Sequence, residues 1–145
     1  MCDIRDENQI IAAIEKCVSV FGGIDILVNN ASALHLAGIT EIESKKFDLI
    51  NSINVRGTFL VTKHAIPYLE KSSNPHILNL SPPLDWNPKW FKDHVAYTMT
   101  KFSMSMMVVG LSEELRPKKI AVNALWPRTI IGTAALGVLS SGKMC

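Results

Sequence analysis

The alternation of helical segments with short apolar runs is the feature that most constrains the fold. Between Asp6 and Phe21, apolar residues recur at three- and four-residue steps, which is typical of an amphipathic helix. Gly22-Gly23 ends that segment, and the apolar run at 24–28 then predicts a short buried strand. Two more helical regions, each followed by an apolar strand, continue to residue 125. Because parallel strands require crossover connections, this order predicts an α/β fold with a parallel sheet and helices on both faces.

The later elements have boundaries that can be read from the sequence. Thr40 and Glu43 have the spacing of a capping box, which predicts a helix from about Glu41 through Ile53, followed by a second helix toward Leu69. The remaining predicted elements are a strand at 76–81, a loop at 84–94, a long helix at 95–115 and a strand at 120–125.

Size and charge exclude several functional classes. The chain has 145 residues, enough for one domain, and its 15 basic and 13 acidic residues are scattered along the sequence. A net charge of +2 without a basic cluster does not predict binding to nucleic acid or to an anionic membrane. No apolar stretch is long enough for a membrane span, and no signal peptide or other targeting signal is visible.

Polar residues follow each predicted strand. They occupy 29–32, 81–83 and 126–129. Ligands of open parallel sheets bind beyond the carboxyl ends of the strands, so we expect these three loops to form one rim.

Tyr97 and Lys101 lie four residues apart at the start of the long helix, so their side chains share one face. Such a pair arises often by chance, and its simplest interpretation is a neutral contact on a helix surface. The motifs around this pair indicate whether it is a surface contact or part of a functional site.

Several motifs together resemble the short-chain dehydrogenase/reductase family. They are Asn29-Asn30-Ala31, with Ser32 where the family has glycine; Asn54 on the central helix; Ser81 at a strand end; the pair Tyr97 and Lys101; and Asn123 to Pro127. Their order agrees with the family across nearly the whole chain. The resemblance implies a partial, Rossmann-type, doubly wound parallel sheet, corresponding to the C-terminal part of such a dehydrogenase.

The family's chemistry implies hydride exchange between a nicotinamide cofactor, NADP or NAD with NADP slightly favoured, and a carbonyl or alcohol. By this resemblance, Tyr97 is the proton donor or acceptor, and Lys101 promotes its ionisation and binds the nicotinamide ribose. Asn54 holds a water of a proton relay, although a polar residue between two helices is the alternative. Ser81 binds the substrate oxygen. It stands farther before the tyrosine than usual, however, so a plain strand terminator is equally compatible with the sequence.

The resemblance also implies residues that hold the cofactor. Asn29 and Ala31 pass beside the adenosine ribose, and Pro127 and Thr129 lie near the nicotinamide carboxamide. Asp3 contacts the adenine amino group, unless it is only an acidic residue near the chain start.

Metal catalysis is not expected, because the four histidines have no metal-ligand spacing and are interpreted as surface or loop residues. The methionines of the long helix indicate packing in the core or between helices. The family resemblance implies that the same helix forms the interface of a homo-oligomer.

Residues 81–84, 87–92 and 123–127 together resemble one narrow branch of the family, which implies a fatty or sterol-like substrate and a peroxisomal or mitochondrial location. Trp86, Trp90 and Phe91 are then candidates for lining an apolar pocket.

The sequence contains no Gly-x-x-x-Gly-x-Gly turn of the kind that binds pyrophosphate. Residues 1–145 are therefore expected to form a single dehydrogenase domain truncated at its N-terminus. Two hypotheses stay open: an oxidoreductase acting on a small hydrophobic carbonyl or alcohol, and a catalytically incompetent chain that binds partners or has no function.

Overall fold

The computed structural model describes residues 1–127, which form a three-stranded sheet flanked by helices. The strands are β1 (Ile26–Asn29), β2 (His76–Asn79) and β3 (Ala121–Ala124). The α-helices are α1 (Glu7–Phe21), α2 (Ser44–Asn51), α3 (Thr58–Leu69) and α4 (Val95–Glu114). Short 3₁₀ turns lie at Pro88–Trp90 and Arg116–Lys118.

All strand pairs are parallel, in the order β1-β2-β3. Asn29 pairs with Asn79, which in turn pairs with Ala124, so the three strands end level with one another. The loops that follow them therefore meet at one edge of the sheet, as the sequence predicted.

Helices α1, α3 and α4 pack against the same face of the sheet. The core beneath them consists of Ala65, Leu69, Ile77, Leu115, Ile120 and Val122. On the opposite face, Ile26 and Val28 of β1 remain 60% and 50% exposed. Helices were expected on both faces, and residues 1–127 supply them to one face, because successive strands added in one direction by right-handed crossovers place their helices on the same side.

The boundaries of α1 follow directly from its sequence. The Asp6 carboxylate accepts hydrogen bonds from the backbone N–H groups of Asn8 and Gln9, which are free at a helix start. Gly22 ends the helix with a φ of 87°, a left-handed conformation that glycine adopts without steric cost.

The capping box predicted at Thr40 is wrong, because the helix begins three residues later than expected, at Ser44, after Glu43. The backbone N–H groups of Glu41 and Ile42 instead bond to the carbonyl of Gly38, which closes a separate turn. Local backbone bonding therefore competes successfully with the helix at this point.

The two helices expected between 41 and 69 form one continuous helical run. A π-helical turn, Ser52–Gly57, joins α2 directly to α3. Such turns insert one residue per turn and widen the helix locally, and they occur frequently at functional sites. Asn54 lies within this turn and is fully buried.

Candidate active site

An apolar cleft of about 710 Å³ opens at the carboxyl ends of the strands. Three of the four residues predicted to be catalytic, Ser81, Tyr97 and Lys101, line it together with Pro127. Loop and helix residues form the rest of the wall: Leu34, Leu36, Leu80, Pro82, Pro83, Asp85, Trp90, His94, Thr98, Phe102, Leu125 and Trp126. The cleft thus brings together a hydroxyl, a phenol and an amine inside apolar walls.

Burial shifts the pKa values of Tyr97 and Lys101 in opposite directions. It raises the pKa of the Tyr97 phenol above its ordinary value of 10.0, because ionisation would place a negative charge in an apolar cleft. Burial lowers the pKa of Lys101 for the corresponding reason. The Lys101 ammonium donates to the Leu80 carbonyl at 2.6 Å and contacts Met104 Sδ at 3.5 Å. An ammonium has three donors, so it keeps capacity for another partner.

Ser81 lies just after β2 and is 2% exposed. Its hydroxyl is buried and has no hydrogen-bond partner among the residues that the structure describes. A buried hydroxyl without a partner is costly, and native proteins retain one mainly where a ligand or water completes it. The role of Ser81, binding the substrate oxygen or only ending the strand, stays a prediction.

Asn54 lies outside the cleft lining and organises the loop after β1. Its Oδ1 accepts from Ser32 Oγ at 3.0 Å and from the Ala33 N–H at 2.7 Å. Its Nδ2 donates to the Ala33 carbonyl and to Thr100 Oγ1, both at 2.9 Å. These four bonds use the full capacity of a side-chain amide. The predicted water would therefore have to be held by the Asn54 backbone.

Thr100 connects Asn54 to α4. Its hydroxyl accepts from Asn54 and donates to the Tyr97 carbonyl at 2.8 Å. The π-helical turn, the loop after β1 and the first turn of α4 are thus joined by one buried chain of hydrogen bonds.

Asn29 has a structural contact that the sequence did not predict. Its Nδ2 donates to Asn79 Oδ1 at 2.8 Å and to Thr62 Oγ1 at 3.0 Å, while Asn79 Nδ2 donates to the Met104 carbonyl. The side chains of Asn29 and Asn79 together therefore connect the ends of β1 and β2 to α3 and α4. Ala31, two residues later, is exposed, so a ligand can approach it.

Asp3 lies just before α1, away from the cleft. Its carboxylate binds the Arg5 guanidinium through both oxygens, at 2.5 to 3.0 Å, and accepts the Arg5 N–H. These bonds lower the pKa of Asp3 from 3.8 to about 2. The predicted contact with adenine would have to share this carboxylate with Arg5.

The loop that carries Trp86, Trp90 and Phe91, called the aromatic loop below, contributes both to the cleft wall and to the packing behind it. Trp90 lines the cleft, and its indole Nε1 donates to Asp85 Oδ2 at 2.6 Å. Trp86 and Phe91 instead pack on Phe102, with ring centroids 6.0 and 5.0 Å away. Of the three aromatic candidates, Trp90 lines the pocket and the other two support Phe102, a neighbouring wall residue.

Sequence reasoning missed His94, which was interpreted as an ordinary surface or loop residue. It is half-buried, lines the cleft and bonds to Thr98 Oγ1 at 3.1 Å. His94 is the residue directly before α4, so helical spacing gave no signal for its place in the cleft.

The residues fit one end of a nicotinamide dinucleotide. Lys101 has a donor to spare for a ribose hydroxyl, and Pro127 supplies a wall of the cleft. Thr129, the other predicted contact at this end, lies outside the described residues. No glycine-rich pyrophosphate turn occurs in the sequence, so the fit covers the nicotinamide end alone.

Residues 1–127 hold neither a metal-binding cluster nor a helix suited to a membrane. No group of three or more His, Cys, Asp or Glu side chains is placed to hold a metal ion in that part of the chain. Nor is any helix within the same residues long and apolar enough to cross a membrane.

Comparison with known proteins identifies the family. The family model described as short chain dehydrogenase matches residues 1–142. The chain is 59% identical to hydroxysteroid dehydrogenase-like protein 2 of Danio rerio over 146 aligned positions, which cover 99% of the chain and 35% of that protein. This confirms the narrower resemblance of residues 81–84 and 87–92. The chain therefore spans about a third of this relative's length.

Solved structures agree with this result. A putative dehydrogenase from Xanthomonas campestris superimposes with a TM-score of 0.91 at 48% identity, covering 95% of this chain and 51% of that one. A metagenomic short-chain oxidoreductase in complex with NADP superimposes with a TM-score of 0.78 at 25% identity, covering 89% of this chain and 57% of that one. The parallel sheet, the position of the cleft and these matches together show that the chain belongs to the short-chain dehydrogenase family.

Proposed function

We propose that this chain carries the proton-transfer and substrate-binding part of an NAD(P)-dependent oxidoreductase. The observation that carries the proposal is the convergence of Ser81, Tyr97 and Lys101 on one apolar cleft. A bound nicotinamide ring would supply or accept the hydride. The chain's own side chains would orient the reacting carbon and handle the proton.

Tyr97 acts on the substrate oxygen as a proton donor during reduction. Because burial raises its pKa, the phenol is protonated at neutral pH and ready to donate. The reverse reaction requires the phenolate, and a positive charge from Lys101 favours that form.

Ser81 orients the same oxygen. Its buried hydroxyl has no partner within residues 1–127, so a hydrogen bond to substrate breaks no protein bond of that part of the chain. The Asn54 side chain holds the loop after β1 through Ala33 and anchors Tyr97 through Thr100. In this proposal, its backbone carbonyl holds the relay water.

The lining of the cleft supports a hydrophobic substrate, of the fatty or sterol-like class. NADP is the preferred cofactor in this proposal, supported by the NADP-bound structural relative. Peroxisome or mitochondrion is the proposed location, supported by the resemblance to hydroxysteroid dehydrogenase-like protein 2. Imaging of a fluorescent fusion against markers of both organelles tests that location.

The second candidate is a chain that binds partners without catalysis. The observation behind it is β1, which within residues 1–127 is an edge strand and whose Ile26 and Val28 are at least half exposed. Exposed apolar strand edges pair readily with other chains.

Titration of the purified chain with NADPH and NADH separates the two candidates. Saturable binding of a cofactor, with turnover of a hydrophobic ketone, supports the oxidoreductase. Absence of binding to both cofactors at millimolar concentration would contradict catalysis by this chain. Ser81→Ala, with Ser73→Ala as an exposed control, then tests substrate binding: the first should raise the KM or lower the turnover, and the second should change neither.

A further inference from the structure

The protonated nitrogen of neutral His94 can be assigned from its hydrogen bonds. Thr98 Oγ1 lies 2.7 Å from the Trp90 carbonyl oxygen and 3.1 Å from His94 Nδ1. A carbonyl oxygen only accepts, so the single proton of the Thr98 hydroxyl is donated to Trp90. The hydroxyl must then accept from His94, and Nδ1 carries the proton.

The other ring nitrogen of His94 is consequently an acceptor. In a neutral imidazole with the proton on Nδ1, Nε2 has a free lone pair. Nε2 has no hydrogen-bond partner within residues 1–127, whereas Nδ1 is bonded to Thr98. Since His94 is half-buried and lines the cleft, this acceptor is available to a ligand there.

Other polar groups of the cleft already have roles. The Asp85 carboxylate accepts from Trp90 Nε1 at 2.6 Å and from the Asn87 N–H at 3.0 Å, which fixes the aromatic loop. Ser81 and Tyr97 share the reacting oxygen in the proposed function. Within residues 1–127, Nε2 of His94 is a hydrogen-bond acceptor of the cleft lining that neither the reaction nor the loop uses.

We propose that His94 is a specificity residue, which accepts a hydrogen bond from a second polar group of the substrate. That group is a hydroxyl or an amide N–H, carried by an otherwise apolar molecule and separate from the reacting carbonyl. Here we build on the proposed function and narrow its substrate class, from any hydrophobic carbonyl to one that bears a hydrogen-bond donor.

Calorimetric binding without cofactor tests this preference. The probes are methyl octyl ketone and hydroxymethyl octyl ketone, which differ by one hydroxyl group. The wild-type chain should bind the hydroxylated ketone about five-fold more tightly, the effect of one hydrogen bond. His94→Phe should abolish the difference, and His94→Gln, which retains an acceptor, should restore part of it. His76→Phe, on strand β2 and outside the cleft lining, should leave it unchanged.

Nitrogen NMR of the free chain tests the assigned tautomer. His94 should show a protonated Nδ1 and an unprotonated Nε2, and Thr98→Val should weaken that preference. Equal binding of the two ketones, binding of neither, or a protonated Nε2 in neutral His94 would overturn the inference. Selective binding without turnover would leave it standing and contradict only the proposed oxidoreductase activity.

Discussion

Lys101 Nζ lies 2.6 Å from the carbonyl oxygen of Leu80, the residue directly before Ser81. This bond connects α4 to the chain just after β2. It also places the lysine charge in a cleft whose walls lower its pKa.

Removal of this amine should impair cofactor binding and proton transfer together. Lys101→Met should lower kcat/KM by about 10²-fold or more, the range typical of losing a group that assists proton transfer. Lys63→Met, on the exposed side of α3, should leave kcat/KM unchanged. Steady-state kinetics with NADPH measure both, and equal activity of the two variants would contradict the role of Lys101.

Gly57 should be intolerant of a side chain. A Cβ there would lie 2.7 Å from Ile4 Cδ1 and 3.2 Å from the Ile4 carbonyl oxygen, so the segment carrying Asp3 would have to shift. Gly57→Ala should lower the free energy of unfolding by about 1–3 kcal/mol.

Gly110 provides the matched control for that substitution. It lies within α4, and among residues 1–127 no atom outside its chain neighbours and its own helix backbone stands within 4 Å of the position that a Cβ would take. Gly110→Ala should therefore raise the free energy of unfolding by about 0.5–1 kcal/mol. Urea denaturation measures both variants, and a neutral effect at Gly57 would contradict the close approach of Ile4.

The buried phenol of Tyr97 should make stability sensitive to alkali. Its pKa is raised in the folded state, so above pH 10 the unfolded chain ionises this group before the folded chain does. Its contribution to stability is present below pH 10 and is lost as the pH rises through the folded pKa. Tyr97→Phe should reduce this loss of stability at high pH. Thermal unfolding at a series of pH values, from neutral to above pH 10, measures it. An unchanged pH dependence would contradict the raised pKa.

Apolar side chains on the outer surface of the helices predict a homodimer. Phe59, Met99, Met106 and Val109 are each at least half exposed. A groove bordered by Phe59 and Met106 lies between α4 and the run formed by α2, the π-helical turn and the start of α3. Patches of this kind mark protein interfaces. Met106→Glu should convert a dimer to a monomer in light scattering after gel filtration. Val20→Glu, equally exposed on α1, should not, and a wild-type monomer would contradict the prediction.

The elements that local pattern specifies were predictable from the sequence. The periodic apolar residues of α1 and its Gly22 stop gave nearly correct boundaries, and strand order predicted that the loops at 29–32 and 81–83 meet at one rim. These features depend on neighbours within a few residues or on the general rule for parallel sheets.

Features that depend on distant contacts were not predictable in the same way. The Asn29 to Asn79 bond joins residues 50 positions apart, and the Asn54 to Thr100 bond joins residues 46 apart. The helix start at Ser44 was missed because backbone bonds to Gly38 outcompeted the Thr40 cap. The place of His94 in the cleft was missed because it depends on hydrogen bonds that connect His94 to Thr98 and Thr98 to Trp90, which the sequence alone does not reveal.

Transfer of deuterium from nicotinamide-deuterated NADPH to a hydrophobic ketone tests the central claim most directly. Mass spectrometry of the alcohol product should show one deuterium with the wild-type chain and with Tyr68→Phe, which alters the other tyrosine of the sequence. Tyr97→Phe should lower the rate of transfer by about 10²-fold or more, because the proton donor is lost. Absence of deuterium in the wild-type product, or equal rates for the two tyrosine variants, would contradict the assignment of Tyr97 as the proton donor.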